Sequence, residues 1–292
     1  MKKIIMAALA AVFLMCFAAT GNAQEQAAAG PPKVLMIGRE TVKIGMDPGH
    51  EKNEAAYARA MAAAKFPARY LAATTTSGPD EAWFLSGYAS FADVEASHKF
   101  YESHAVLKAQ LDKINVQDAE YISDATTLIA TYNDKWSYHP EVSLTDKPIL
   151  EVETIQLRPG HDKDWEDLVN LFLATAAKAN VTESDVFYEV RYGARAGTVL
   201  IFIPRKSGAD IDAAMGTGKA FEDALGESDR KRWADLVQSC IADDRTDLLA
   251  FNAEMSYAPD EFIKANPDFW KPKHMAPTAE KPASPKQPAP AQ

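Results

Sequence analysis

Apolar positions along the chain fall into helical and extended rhythms, and the rhythms come twice in the same order. Tyr57, Ala60, Met61 and Ala64 stand at i, i+3, i+4 and i+7, which predicts one buried face of a helix. Leu168, Leu171, Phe172 and Thr175 repeat that stripe later in the chain. Each stripe follows an extended run, within ETVKIGMDPGHEK (40–52) and EVETIQLRPGHDK (151–163). Each is followed by two more extended runs joined by a short turn. These are RYLAATTT and EAWFLSGYA in the first half, and VFYEVRY and TVLIFIP in the second. Turn residues between apolar runs predict hairpins. A second helical region and a closing strand, at 126–141 and 246–260, complete each unit.

The order is therefore β-α-β-β-α-β, twice, which is the split-βαβ or ferredoxin-like unit of an α+β protein. Val199–Ile203 is apolar at every position, which predicts a strand buried on both faces. A sheet covered by helices on one side leaves its other side open, and the other unit is there to cover it. The expectation is two tandem ferredoxin-like units, 33–142 and 148–262, packed sheet to sheet as an intrachain pseudo-dimer.

The ends read differently. Lys2 and Lys3, the apolar run Ile4–Ala19 and the small residues Gly21 and Ala23 form a signal-peptide pattern over 1–23. It predicts a periplasmic or secreted protein with no transmembrane span after cleavage. Residues 24–32 read as a linker and 271–292 as a disordered Pro-rich tail. Acidic residues outnumber basic ones by 41 to 31, so nucleic acid is not an expected partner. Cleavage would leave one cysteine, Cys240, and hence no internal disulfide; its helical apolar setting predicts a core position.

The two halves share a five-residue motif, PGHEK at Pro48–Lys52 and PGHDK at Pro159–Lys163. Pro48, Gly49 and His50, like Pro159, Gly160 and His161, predict one strand-to-helix corner made twice, with the histidines as corner packing. The run ETIQLRPGHDKDWEDL resembles the first strand and helix of NIPSNAP-type domains in the dimeric α+β barrel superfamily. Antibiotic-biosynthesis monooxygenases, haem-degrading monooxygenases and chlorite dismutase share that architecture. The resemblance implies a barrel, and it implies haem as the cofactor to consider.

Candidate chemistry is sparse. His98 and Glu102 lie four apart on one helix face in SHKFYESH, with His104 close behind, a set of donors that could meet haem or a ligand. Trp83 would contribute to a ligand space between the sheets. Glu189 and Arg191 share one face of what reads as an edge strand. Glu40 and Glu151 read as solvent-near residues at a strand start, not as an acid–base couple. No metal set is read from the spacing, and no G-x-G-x-x-G, Walker A, H-E-x-x-H or G-x-S-x-G motif occurs. The leading expectation is a non-catalytic exported protein, monomer or homodimer, that binds a small apolar or haem-like ligand between its sheets. The alternatives are a cofactor-independent or haem-dependent monooxygenase-type enzyme, and a structural protein of the envelope.

Overall fold

The computed structural model describes residues 30–141 and 143–272. The signal segment, most of the linker and nearly all of the Pro-rich tail lie outside them. The first half runs β1 (Val34–Val42), α1 (Asp47–Ala63), β2 (Tyr70–Thr75), β3 (Glu81–Tyr88), α2 (Phe91–Ser103), α3 (Ala105–Asp118) and β4 (Ile122–Tyr132). The second runs β5 (Ile149–Leu157), α4 (Asp162–Ala179), β6 (Val186–Tyr192), β7 (Thr198–Arg205), α5 (Gly208–Cys240) and β8 (Ile241–Tyr257). Two short helices follow, α6 (Asp260–Ala265) and α7 (Pro267–Trp270). No described helix is long and apolar enough to cross a membrane.

All eight strands close into one barrel in the order β1-β3-β2-β8-β5-β7-β6-β4, and every pairing is antiparallel. The architecture is an α+β fold built on a closed eight-stranded antiparallel barrel. The sheets do not simply face each other, as the apolar pattern suggested. Their edges join, β2 to β8 and β4 to β6. An unpaired edge leaves a row of backbone groups without partners, and closure removes it. The 17-residue strand β8 makes one seam by pairing with β5 along its first part and with β2 along its last. β6 is consequently no edge strand, contrary to the sequence reading.

The inner face is packed with side chains. Ile37, Trp83, Leu150, Leu200 and Leu249 are fully buried there, and Tyr188 and Phe202 pack among them. Small barrels fill in this way, so the ligand space expected between the sheets is occupied by the chain's own residues. Trp270 of α7 caps one end. It lies 1% exposed against Phe251, Phe262 and Phe269, and its Nε1 donates to the Thr145 carbonyl at 2.9 Å. A second apolar layer lies between barrel and helices, around Leu111 in the first half and around Trp165 and the buried Cys240 in the second.

The two Pro-Gly-His motifs do not occupy equivalent places. Pro48, Gly49 and His50 lie inside the first turn of α1, whereas Pro159 and Gly160 precede α4 and His161 is its N-cap. Backbone landmarks set the true register. The Lys43 N–H donates to the Tyr121 carbonyl as the Arg158 N–H does to that of Cys240. Lys65 (φ 52°) ends α1 as Asn180 (φ 54°) ends α4. By this register the motifs are four residues out of step, and His50 corresponds to Trp165. Four residues is about one helical turn, so the apolar stripe matches under either alignment. Even the glycines differ in purpose. Gly160 takes φ 84°, while a side chain at Gly49 would begin 2.5 Å from the Tyr121 ring.

Candidate functional site

Glu40 points outward from β1 toward α1. Its strand neighbours are Ala82 and Ala125, whose small side chains leave it room. His50 and Glu54 lie one turn apart on α1, and so share a helix face. Asp118 is the last residue of α3. One ligand atom from each of these four lies within 4.8 Å of the others. His50 is 2% exposed, with Nδ1 3.0 Å from Asp118 Oδ1 and Nε2 3.6 Å from Glu40 Oε2. Asn53 Nδ2 donates to Asp118 Oδ1 at 3.0 Å and to the Ile114 carbonyl at 3.1 Å. A carboxylate only accepts, so the pairing with Asp118 places a hydrogen on Nδ1; in the neutral imidazole the lone pair is then on Nε2. Two atoms of the cluster, His50 Nε2 and Glu40 Oε2, are buried without a hydrogen bond.

The electrostatics are those of crowded acids. Burial pushes the Glu40 carboxyl up to about 7, with Asp118 adding to the rise and His50 opposing it. Glu54 is raised well above the ordinary carboxylate range, first by burial and then by Glu40 and Asp118. Both Tyr57 and Tyr70, which stack edge to face beside the cluster, are also raised, chiefly by burial.

The second half provides an internal comparison. By the strand bulges and the backbone landmarks, Ile155 stands where Glu40 does, Trp165 for His50, Val169 for Glu54 and Val237 for Asp118. These four join one apolar cluster. The same architecture thus closes its outer layer with hydrocarbon in one half and with ionisable groups in the other. The fold itself does not require the polar set.

The residues singled out from sequence lie elsewhere. His98, Glu102 and His104 are exposed on α2 and the α2–α3 corner. Glu102 pairs with Lys108 at 3.2 Å, and His104 stacks on Phe100 with ring centroids 3.6 Å apart. Trp83 is inside the barrel, donating to Glu81 at 2.8 Å beneath the Arg39 guanidinium. Glu189 and Arg191 pair with each other at 2.5 Å near the surface, and Arg191 also donates to Thr131. These positions do not converge. His161 meets Asp164 and Ser239, but both reach its Nδ1, at 2.9 and 3.0 Å, whereas a nucleophile–base–orienter array uses both ring nitrogens. Of the corner residues only His50 belongs to the cluster. The sequence reading missed Glu54, Asp118 and Asn53, and it placed Glu40 near solvent; the structure holds Glu40 half-buried, with its Oε2 3.6 Å from His50 Nε2 of α1.

A different acid gives a pH prediction. Asp185 is pushed up to about 7 by burial; Arg205 opposes the shift, and Glu153, Glu183 and Glu151 add to it. The folded chain therefore holds this proton more tightly than the unfolded chain does. The stabilisation is present below the ordinary carboxylate range and is lost as pH rises through about 7. Unfolding free energy is expected to fall from about pH 4 to about pH 7 and to level off above that, by up to about 1.4 kcal/mol per pH unit for this group. Chemical denaturation of the wild type and Asp185→Asn checks this, since the variant's profile should be flatter.

No family model matches the chain. No curated protein matches it either. Solved structures share the fold at low identity. One, a Fusobacterium nucleatum protein assigned as a monooxygenase, is 12% identical with a TM-score of 0.49, over 76% of this chain and 93% of that one. An anthrone oxidase-like protein is 11% identical with a TM-score of 0.49, over 75% and 91%. A chlorite dismutase from Candidatus Nitrospira defluvii, in complex with imidazole, is 8% identical with a TM-score of 0.43, over 80% and 95%. These similar structures carry enzyme names, in contrast to the non-catalytic protein expected from the sequence.

Haem was the cofactor implied by the resemblance. A haem needs a ligand directed into a space that holds the macrocycle. Of the histidines proposed for it, His98 and His104 face solvent, and the barrel interior is filled by Trp83, Leu150, Leu200 and Leu249. These residues do not fit the group.

Proposed function

We propose that the chain is an enzyme of the monooxygenase type and that Glu40, His50, Glu54 and Asp118 are its working groups. The observation carrying this reading is the contrast between the halves: four ionisable residues on one side, Ile155, Trp165, Val169 and Val237 on the other. Burying charged groups costs stability that apolar residues would not cost. A scaffold that manages without them in one half has no structural need of them in the other. Glu40 is the most open of the four, with its side chain 24% exposed, so it is the member nearest an incoming substrate.

The reaction class is oxidation of a small carbon acid by dioxygen. Anthrone is a suitable probe. Its methylene carbon loses two hydrogens and gains one oxygen atom as a carbonyl; the second oxygen atom leaves with the hydrogens as water. Oxygen uptake is expected above the uncatalysed rate in the wild type, and at least about tenfold lower in Glu40→Gln and Glu54→Gln. No uptake above background, or equal uptake in wild type and variants, would overturn the reading.

Two further inferences accompany it. We infer that the halves are tandem copies of one ferredoxin-like unit of NIPSNAP-like type, supported by their equal strand order and the matching ends of α1 and α4. Export to the periplasm or beyond is proposed from the Lys2–Ala23 pattern alone.

A further inference from the structure

We propose that the cluster in the first half is a site for one divalent transition-metal cation, held by His50 Nε2, Glu40 and Glu54 and oriented by Asp118. This rests on the reading of the cluster as the working site, but its geometry stands alone. His50 Nε2 is buried, carries a lone pair and has no hydrogen-bond partner, and it faces Glu40 Oε2 at 3.6 Å. Two donor atoms at that separation can both reach a cation about 2.1 Å from each. Glu54, one helical turn beyond His50, supplies the next carboxylate.

Asp118 completes the arrangement from behind. A metal-ligating histidine commonly gives its other N–H to a carboxylate, which fixes the tautomer and ring orientation. Here Asp118 Oδ1 takes that position, and Asn53 holds Asp118 in turn. A cation would give the two orphaned atoms a partner and offset the mutual repulsion of the carboxylates. One imidazole with carboxylates suits zinc, cobalt, iron or manganese. The greater exposure of Glu40 leaves the open coordination position on its side.

The test uses the full chain, stripped with a chelator and titrated with Co2+. Its absorbance reports coordination directly, and Zn2+ serves as competitor. The expected result is one equivalent bound, with affinity at least about tenfold weaker in His50→Gln and Glu54→Gln and about 10- to 100-fold weaker in Asp118→Asn. His161→Gln, at the exposed second motif, should bind as the wild type does. Circular dichroism confirms that each variant is folded, and a rise in Tm with saturating Zn2+ is a second readout. Absence of stoichiometric binding, or binding indifferent to all three cluster substitutions, would refute the metal site. If oxygen uptake still depends on the cluster in that case, the proposed function survives. If the metal binds and uptake ignores the cluster, the function fails and the metal site stands.

Discussion

His50→Ala is expected to lower the unfolding free energy of the metal-free chain by about 3–5 kcal/mol near neutral pH. His50 is the one member of the cluster able to carry positive charge, and its Nδ1 satisfies Asp118 at 3.0 Å. Removing it leaves three carboxyl groups crowded in the outer layer, with Asp118 deprived of one of its donors. The opposite sign is expected when the whole set is replaced by apolar residues of similar volume. Glu40→Met, His50→Leu, Glu54→Met and Asp118→Leu together should raise stability by about 1–4 kcal/mol. Urea denaturation with matched m-values reads both variants. A neutral His50→Ala would show that the acids are not coupled to the imidazole. A quadruple variant that fails to fold would show that the cluster belongs to the scaffold, and the contrast with Ile155, Trp165, Val169 and Val237 would lose its meaning.

The second large effect concerns the barrel cap. Trp270→Ala should cost about 3–5 kcal/mol, the usual loss for truncating a large buried aromatic. The indole touches three phenylalanines and satisfies its own N–H on Thr145, so both packing and a hydrogen bond go. The truncated side chain would leave an apolar opening onto Phe251 and the barrel interior. Denaturation midpoints check the stability loss. Increased binding of an apolar fluorescent dye checks the opening, and a variant with wild-type stability and no dye binding would place α7 outside the core.

The eight strands and the order of elements were legible because apolar periodicity reports local geometry directly. Val199–Ile203, apolar throughout, lies in β7 and is largely buried, as read. Barrel closure was harder to see, since the hydrogen bonds that join β4 to β6 involve backbone atoms and leave little mark on side-chain pattern. The candidate site was hidden by the shared motif. Aligning Pro48-Gly49-His50 with Pro159-Gly160-His161 made the two histidines look like a common structural feature, and a slip of one helical turn preserves every apolar stripe that might have exposed the error. In the structural register His50 falls opposite Trp165, and the polar-for-apolar exchange becomes plain. Asp118 could not have been placed by spacing at all, because the packing of α3 on α1 brings it to His50 from far along the chain.

The seams β2–β8 and β4–β6 lie within a single polypeptide. A barrel assembled from two identical subunits receives each substitution in duplicate, so a polar centre gained on one side is imposed on the other. Continuous connection lifts that constraint. Here Trp165 and its apolar neighbours can supply rigidity while Glu40 and His50 of the proposed site sit in a costlier polar environment, a division of labour closed to any symmetric assembly of the same shape.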